Sequence, residues 1–157
     1  MLLSELRQEI AIEANSIRQT LADLAIALQE AGGNPLSATQ RTAAAAYMAQ
    51  CYTGVENVLK RILRYCDVRL PTGGDWHIAL LKLFRIGARQ VPSLIDDTLF
   101  AALSDLRRFR HVVIHRYGFT LDSETVLLKG KDADAVLSKF FIAVEQYLVH
   151  EEEAANP

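Results

Sequence analysis

Tyr47-Met48-Ala49-Gln50-Cys51-Tyr52-Thr53-Gly54-Val55-Glu56-Asn57-Val58-Leu59-Lys60-Arg61-Ile62 is the stretch that decides the fold class. Tyr47, Cys51, Val55, Val58, Leu59 and Ile62 recur at helical spacing and make one apolar stripe. Upstream, Ser37 is a good N-cap with Gln40 at capping-box spacing, so a long helix is predicted from about Ala38 to Val68. Gly32-Gly33-Asn34-Pro35 closes an earlier helix that starts near Leu3. Pro71-Thr72-Gly73-Gly74 closes the long one. Asp75 can cap a short helix carrying Trp76, Ile78, Leu80, Leu81 and Phe84.

After the breaks at Gly87 and Pro92, a fourth helix is predicted from near Ser93 to about Arg116, with Gly118 as its stop. Between Thr120 and Gly130 two readings stay open: a helix capped by Asp122, or an extended Ser123 to Leu128. From Asp132 onward Val136, Phe140, Phe141, Val144, Tyr147 and Leu148 are again helical in spacing. The polar tail from about Glu151 is expected to fray. The expected architecture is all-α, a single domain over residues 1–157, an antiparallel bundle of four long helices plus one short helix.

Composition narrows the function. The chain has 157 residues, 50% of them hydrophobic and 23% charged, so it can bury a core without disulfides or metal. A net charge of −2 excludes a uniformly basic nucleic-acid coat but leaves room for a local basic patch. No apolar run approaches the ~18–20 residues of a membrane span. The opening Met1-Leu2-Leu3-Ser4-Glu5 lacks a basic n-region and an apolar h-region, so no standard export signal is expected. Cys51 and Cys66 on one helix would lie roughly 22 Å apart, at ~1.5 Å per residue. A disulfide needs Cα atoms within about 7 Å. Two thiols out of mutual reach point to a reducing compartment, the cytoplasm.

The chemistry concentrates in Asp105-Leu106-Arg107-Arg108-Phe109-Arg110-His111-Val112-Val113-Ile114-His115-Arg116-Tyr117. No acid falls between Arg107 and Arg116. On a helical wheel Arg107, Arg110 and Tyr117 fall together, with His111, His115 and Arg108 adjoining. Leu106, Phe109, Val112 and Val113 take the other side, and Ile114 intrudes on the cationic one. A solvated basic face is the plain alternative. Against it stands the absence of mixed charge, together with the residue types present. Arginine offers a planar fork to phosphate oxygens, and histidine moves protons near neutral pH. His111 and His115 also form an HxxxH pair. However, Val112 stands where a zinc protease needs glutamate, and the nearby arginines repel a cation, so neither a metal nor another cofactor is expected.

Arg110, four residues, His115, one residue and Tyr117 form an R-x4-H-x-Y motif near the end of a late helix. This resembles the signature of the HEPN superfamily of small helical bundles, and of its HepT-like toxins in particular. Tyr52-Thr53-Gly54-Val55-Glu56-Asn57-Val58-Leu59-Lys60 resembles the second-helix segment of such proteins. Asp75-Trp76-His77-Ile78-Ala79-Leu80-Leu81 resembles the turn and short helix after it. One departure is His111, where many members carry Asn or Asp after the arginine.

The resemblance implies a metal-independent endoribonuclease toxin, working as a homodimer whose motifs face one cleft. It implies a minimal nucleotidyltransferase antitoxin as partner, able to attach AMP to Tyr117. On this reading His115 transfers protons and Arg110 stabilises the phosphate of an RNA attacked by its own 2′-OH. The second imidazole is either His115 of the other subunit or His111. Arg107, Arg108 and Arg116 are auxiliary RNA contacts, and Glu56 is a possible support that pairs with a basic residue of the motif helix. Trp76 is expected as a core anchor, and His77 as a turn or surface histidine. The alternative reading is a non-catalytic HEPN-like module that binds a nucleotidyltransferase or a nucleotide.

Overall fold

A computed structural model describes residues 1–88, 90–115 and 121–155, without the side chain of Ile114. Five helices follow in chain order: α1 (Leu3–Gln29), α2 (Ala38–Tyr65), α3 (Trp76–Ile86), α4 (Asp97–His115) and α5 (Ser123–Ala155). Four are long and α3 is short, packed as an all-α bundle. Among the described residues there is no strand, only an isolated antiparallel bridge between Ala88 and Val91.

Local hydrogen bonds set the helix limits. The capping box at Ser37 forms in both directions. The Ser37 hydroxyl accepts from the Gln40 amide at 3.1 Å, and the Gln40 side chain accepts from the Ser37 amide at 2.9 Å. α2 stops at Tyr65, short of the expected Val68, because Asp67 turns left-handed at φ 55°. The Val68 amide then donates back to Leu63.

α4 begins at Asp97 and not near Ser93. The Leu94 and Ile95 amides are taken by the Phe84 carbonyl at the end of α3, at 2.9 and 3.1 Å. Asp96 supplies the cap instead, its carboxylate accepting from the Leu99 amide at 2.7 Å. The open stretch after Thr120 resolves as helix. Asp122 accepts from the Thr125 amide at 2.8 Å, and α5 runs unbroken from Ser123. The hydrogen bonds from Thr125 also hold the Asp122 carboxyl below its ordinary pKa. α5 continues through the segment expected to fray, as far as Ala155. Tyr65 donates to Glu151 at 3.1 Å and Arg7 to Glu152 at 2.7 Å, which fastens that end to α2 and α1.

α1 and α2 run antiparallel, since Glu9 pairs with Arg61 and Arg64 while Ile17 meets Gly54 further back along α2. A Cβ at Gly54 would lie 2.6 Å from Ile17, so the absent side chain lets the two helices close. α2 sits centrally, against α1 on one side and α4 on another, with α5 closing on α1. The stripe read from the sequence is the core. Cys51, Val55, Val58, Leu59 and Ile62 are buried, joined by Leu80, Leu81 and Phe84 of α3, Leu103 of α4 and Phe140 of α5. Tyr47, at the start of the stripe, is half-buried. The short α3 lies across α2 and α4, bringing its first turn beside both.

Candidate functional site

α4 turns Leu103, Leu106 and Phe109 into the core, which fixes where its cationic residues point. Arg108, His111 and His115 are exposed, while Arg107 and Arg110 are half-buried. The His111 and His115 rings, one helical turn apart, stand 4.7 Å between centroids at 47°. Arg108 folds back onto Asp105 at 3.2 Å, and Asp105 also holds Lys129 of α5 at 2.7 Å. The start of the basic stretch is thereby neutralised locally. Among the described residues no three metal-binding side chains gather.

Arg110 points toward α3. Its Nη1 lies 3.2 Å from Nε2 of His77, and Nδ1 of His77 lies 2.5 Å from the Glu56 carboxylate. Arginine carries only donors, so Nε2 must accept, which leaves the His77 proton on Nδ1, where it donates to Glu56. Glu56 therefore reaches the motif helix through His77, not directly. At 1% exposure Glu56 is the one fully buried charged residue among the described residues. A buried carboxylate without a donor is costly, and the imidazole N–H answers it.

His77 is thus no simple surface histidine. Its side chain is 19% exposed, at the first turn of α3 between α2 and α4. Trp76 packs against the core, as its reading as an anchor expects. It also stacks on the His77 ring at 3.6 Å between centroids and receives Lys60 over its indole at 4.5 Å.

One layer deeper lies Tyr52, fully buried and next to Glu56. Burial pushes its pKa up, and the Glu56 carboxylate pushes the same way, while Arg107 and Arg110 pull it down. Both arginines are therefore close enough to be felt at Tyr52. The Nε of Arg107 is buried and unpartnered among the described residues, so this guanidinium is only in part available to solvent.

The structure thus brings Arg110, His77, Glu56 and Tyr52 into one cluster, with Arg107 at its side and His111 and His115 exposed on the same helix. It does not bring Arg108 into that cluster. Arg116 and Tyr117 lie outside the described residues. His77 was missed as a site residue. Its signal was present, because Glu56 lies beside the buried stripe of α2 and needs a donor, and His77 opens the helix that packs there.

No curated protein and no solved structure matches the chain. A family model described as HepT-like protein matches residues 43–150, more than half the chain, from within α2 to near the end of α5. That match takes in the Glu56–His77–Arg110 cluster and the whole of the basic stretch. On this match, the chain belongs to the HepT-like protein family.

Proposed function

We propose that the chain is a metal-independent endoribonuclease and acts as the toxin of a toxin–antitoxin pair. The observation that carries the reading is the end of α4. A guanidinium is held in place at Arg110, and two imidazoles, His111 and His115, stand exposed on the same helix.

The reaction needs no group the chain lacks. The 2′-OH of RNA attacks the adjacent phosphorus, and the bond to the 5′-oxygen breaks. A 2′,3′-cyclic phosphate remains on one fragment and a 5′-hydroxyl on the other. A base takes the 2′ proton and an acid protonates the departing oxygen, which are imidazole roles. Arg110 offers its charge and fork to the phosphorane. His115 is assigned proton transfer. Because one imidazole cannot give and take at once, the second comes from His115 of a symmetric partner copy or from His111. Arg107 and Arg116 are auxiliary cations toward the RNA backbone, and Arg108 joins them when it leaves Asp105.

Neutralisation is assigned to a minimal nucleotidyltransferase. AMP transferred from ATP to Tyr117, with release of pyrophosphate, adds an anionic phosphodiester to the cationic motif and opposes the binding of RNA. Expression of the chain alone should arrest growth, and His115→Ala should relieve the arrest. Arrest that persists undiminished in that variant would contradict the assignment. Mass spectrometry after co-expression with a nucleotidyltransferase should find the adduct on the peptide that contains Tyr117. An unmodified tyrosine in a neutralised complex would leave inhibition to binding alone.

A further inference from the structure

We infer that His77 is a positioning residue for Arg110, fastening its guanidinium through Nη1 so that the Nε–Nη2 edge, unbonded among the described residues, can take a phosphate, with Glu56 behind it fixing the tautomer. The inference rests on the nuclease reading for its consequence, but its geometry stands on its own.

Four features carry it. Arg110 commits Nη1 to His77, at 3.2 Å, and the Nε–Nη2 edge makes no hydrogen bond to a described residue. That edge is the one that grips two oxygens side-on. The His77 ring is held on several sides, by Glu56 at Nδ1, by Arg110 at Nε2 and by the stacked indole of Trp76. Glu56 is buried on α2, the central helix, so the chain of contacts starts from the core of the bundle. The two hydrogen bonds of His77 join α2, α3 and α4, so the guanidinium is located by the tertiary fold and not by α4 alone.

An arginine on an exposed helix end samples many rotamers, and ordering it during the reaction costs entropy. The Glu56–His77 pair orders it beforehand. His77 does not exchange protons with RNA here, because its Nε2 is occupied by Arg110 and its Nδ1 by Glu56.

His77→Asn separates the two bonds. Its amide nitrogen can still donate to Glu56 from near the Nδ1 position, but it is too short to accept from Arg110. His77→Gln restores an acceptor near the Nε2 position. The full-length chain is assayed on a fluorogenic mixed-sequence oligoribonucleotide, with thermal melts confirming that each variant folds. A misplacement of about 1 Å at a reacting centre costs roughly 10²-fold, so His77→Asn should lower kcat by about that factor with KM little changed. His77→Gln should recover most of the loss. In an Arg110→Ala background His77→Asn should cost nothing further, because its effect passes through Arg110. By nuclear magnetic resonance, the Arg110 Nη protons should show hindered rotation in the native chain and lose it in His77→Asn.

Unchanged kcat in His77→Asn, losses that add to those of Arg110→Ala, or Arg110 signals indifferent to residue 77 would each overturn the inference. If the native chain cleaves no RNA, the nuclease reading falls by itself, and the Arg110 signals alone decide whether His77 positions it.

Discussion

Arg110 shows how much a side chain's partners matter beyond its place on a wheel. The wheel put it with Arg107 on the cationic side, and both are half-buried, while Val113, expected on the apolar side, is exposed. What the wheel could not supply is the neighbour. His77 is distant in sequence, on another helix, and its meeting with Arg110 depends on how α3 crosses α2 and α4. Arg110→Lys keeps the charge but loses both the fork and the fixed reach to His77, so ribonuclease turnover should fall roughly 10²-fold, as measured by initial rates. Retained turnover would show that a point charge suffices. The cysteines were legible from spacing alone, and both are free. Burial pushes the Cys51 thiol up to about 12, so at pH 8 it carries almost no thiolate. It should resist iodoacetamide in the native chain and react only on unfolding, while the half-buried Cys66 reacts slowly. Rapid native labelling of Cys51 would contradict its placement.

Helix identity was legible wherever stripe and breaker agreed, as in α2, where the stripe from Cys51 to Ile62 and the Ser37–Gln40 cap both reappear. Helix ends set by tertiary contacts were not. The start of α4 is displaced because the Phe84 carbonyl captures the amides of Leu94 and Ile95, and the end of α5 persists because Tyr65 and Arg7 hold it. Two glycines inside helices, unremarked in the sequence, mark close approaches of unequal tightness. At Gly54 an added Cβ meets both Cγ1 and Cδ1 of Ile17 at 2.6 Å. At Gly130 the one contact under 3.0 Å is with Cδ1 of Leu28, at 2.9 Å, the far end of a flexible side chain. Gly54→Ala should therefore destabilise by about 1–3 kcal/mol, the usual cost of overpacking. Gly130→Ala should be neutral or gain up to ~1 kcal/mol from helix propensity. Chemical denaturation reads both, and equal effects would mean that the helices repack freely. Ser37→Ala should cost about 0.5–2 kcal/mol through loss of the cap.

For the whole molecule, the all-α bundle follows from composition and punctuation, and family membership adds to it without replacing it. No helix among the described residues is long and apolar enough to cross a membrane. The proposed nuclease makes one demand on assembly. With His115 as both acid and base, two copies must share a cleft, and the chain should sediment as a dimer. A strictly monomeric active chain would shift the second role to His111.

The most direct test uses purified native chain and RNA in excess EDTA, with His115→Ala beside it. The account predicts cleavage that chelation leaves intact, fragments ending in 2′,3′-cyclic phosphate and 5′-hydroxyl, and a loss of roughly 10²–10⁴-fold in the variant. Cleavage abolished by EDTA, fragments with 5′-phosphate, or an unimpaired variant would contradict it.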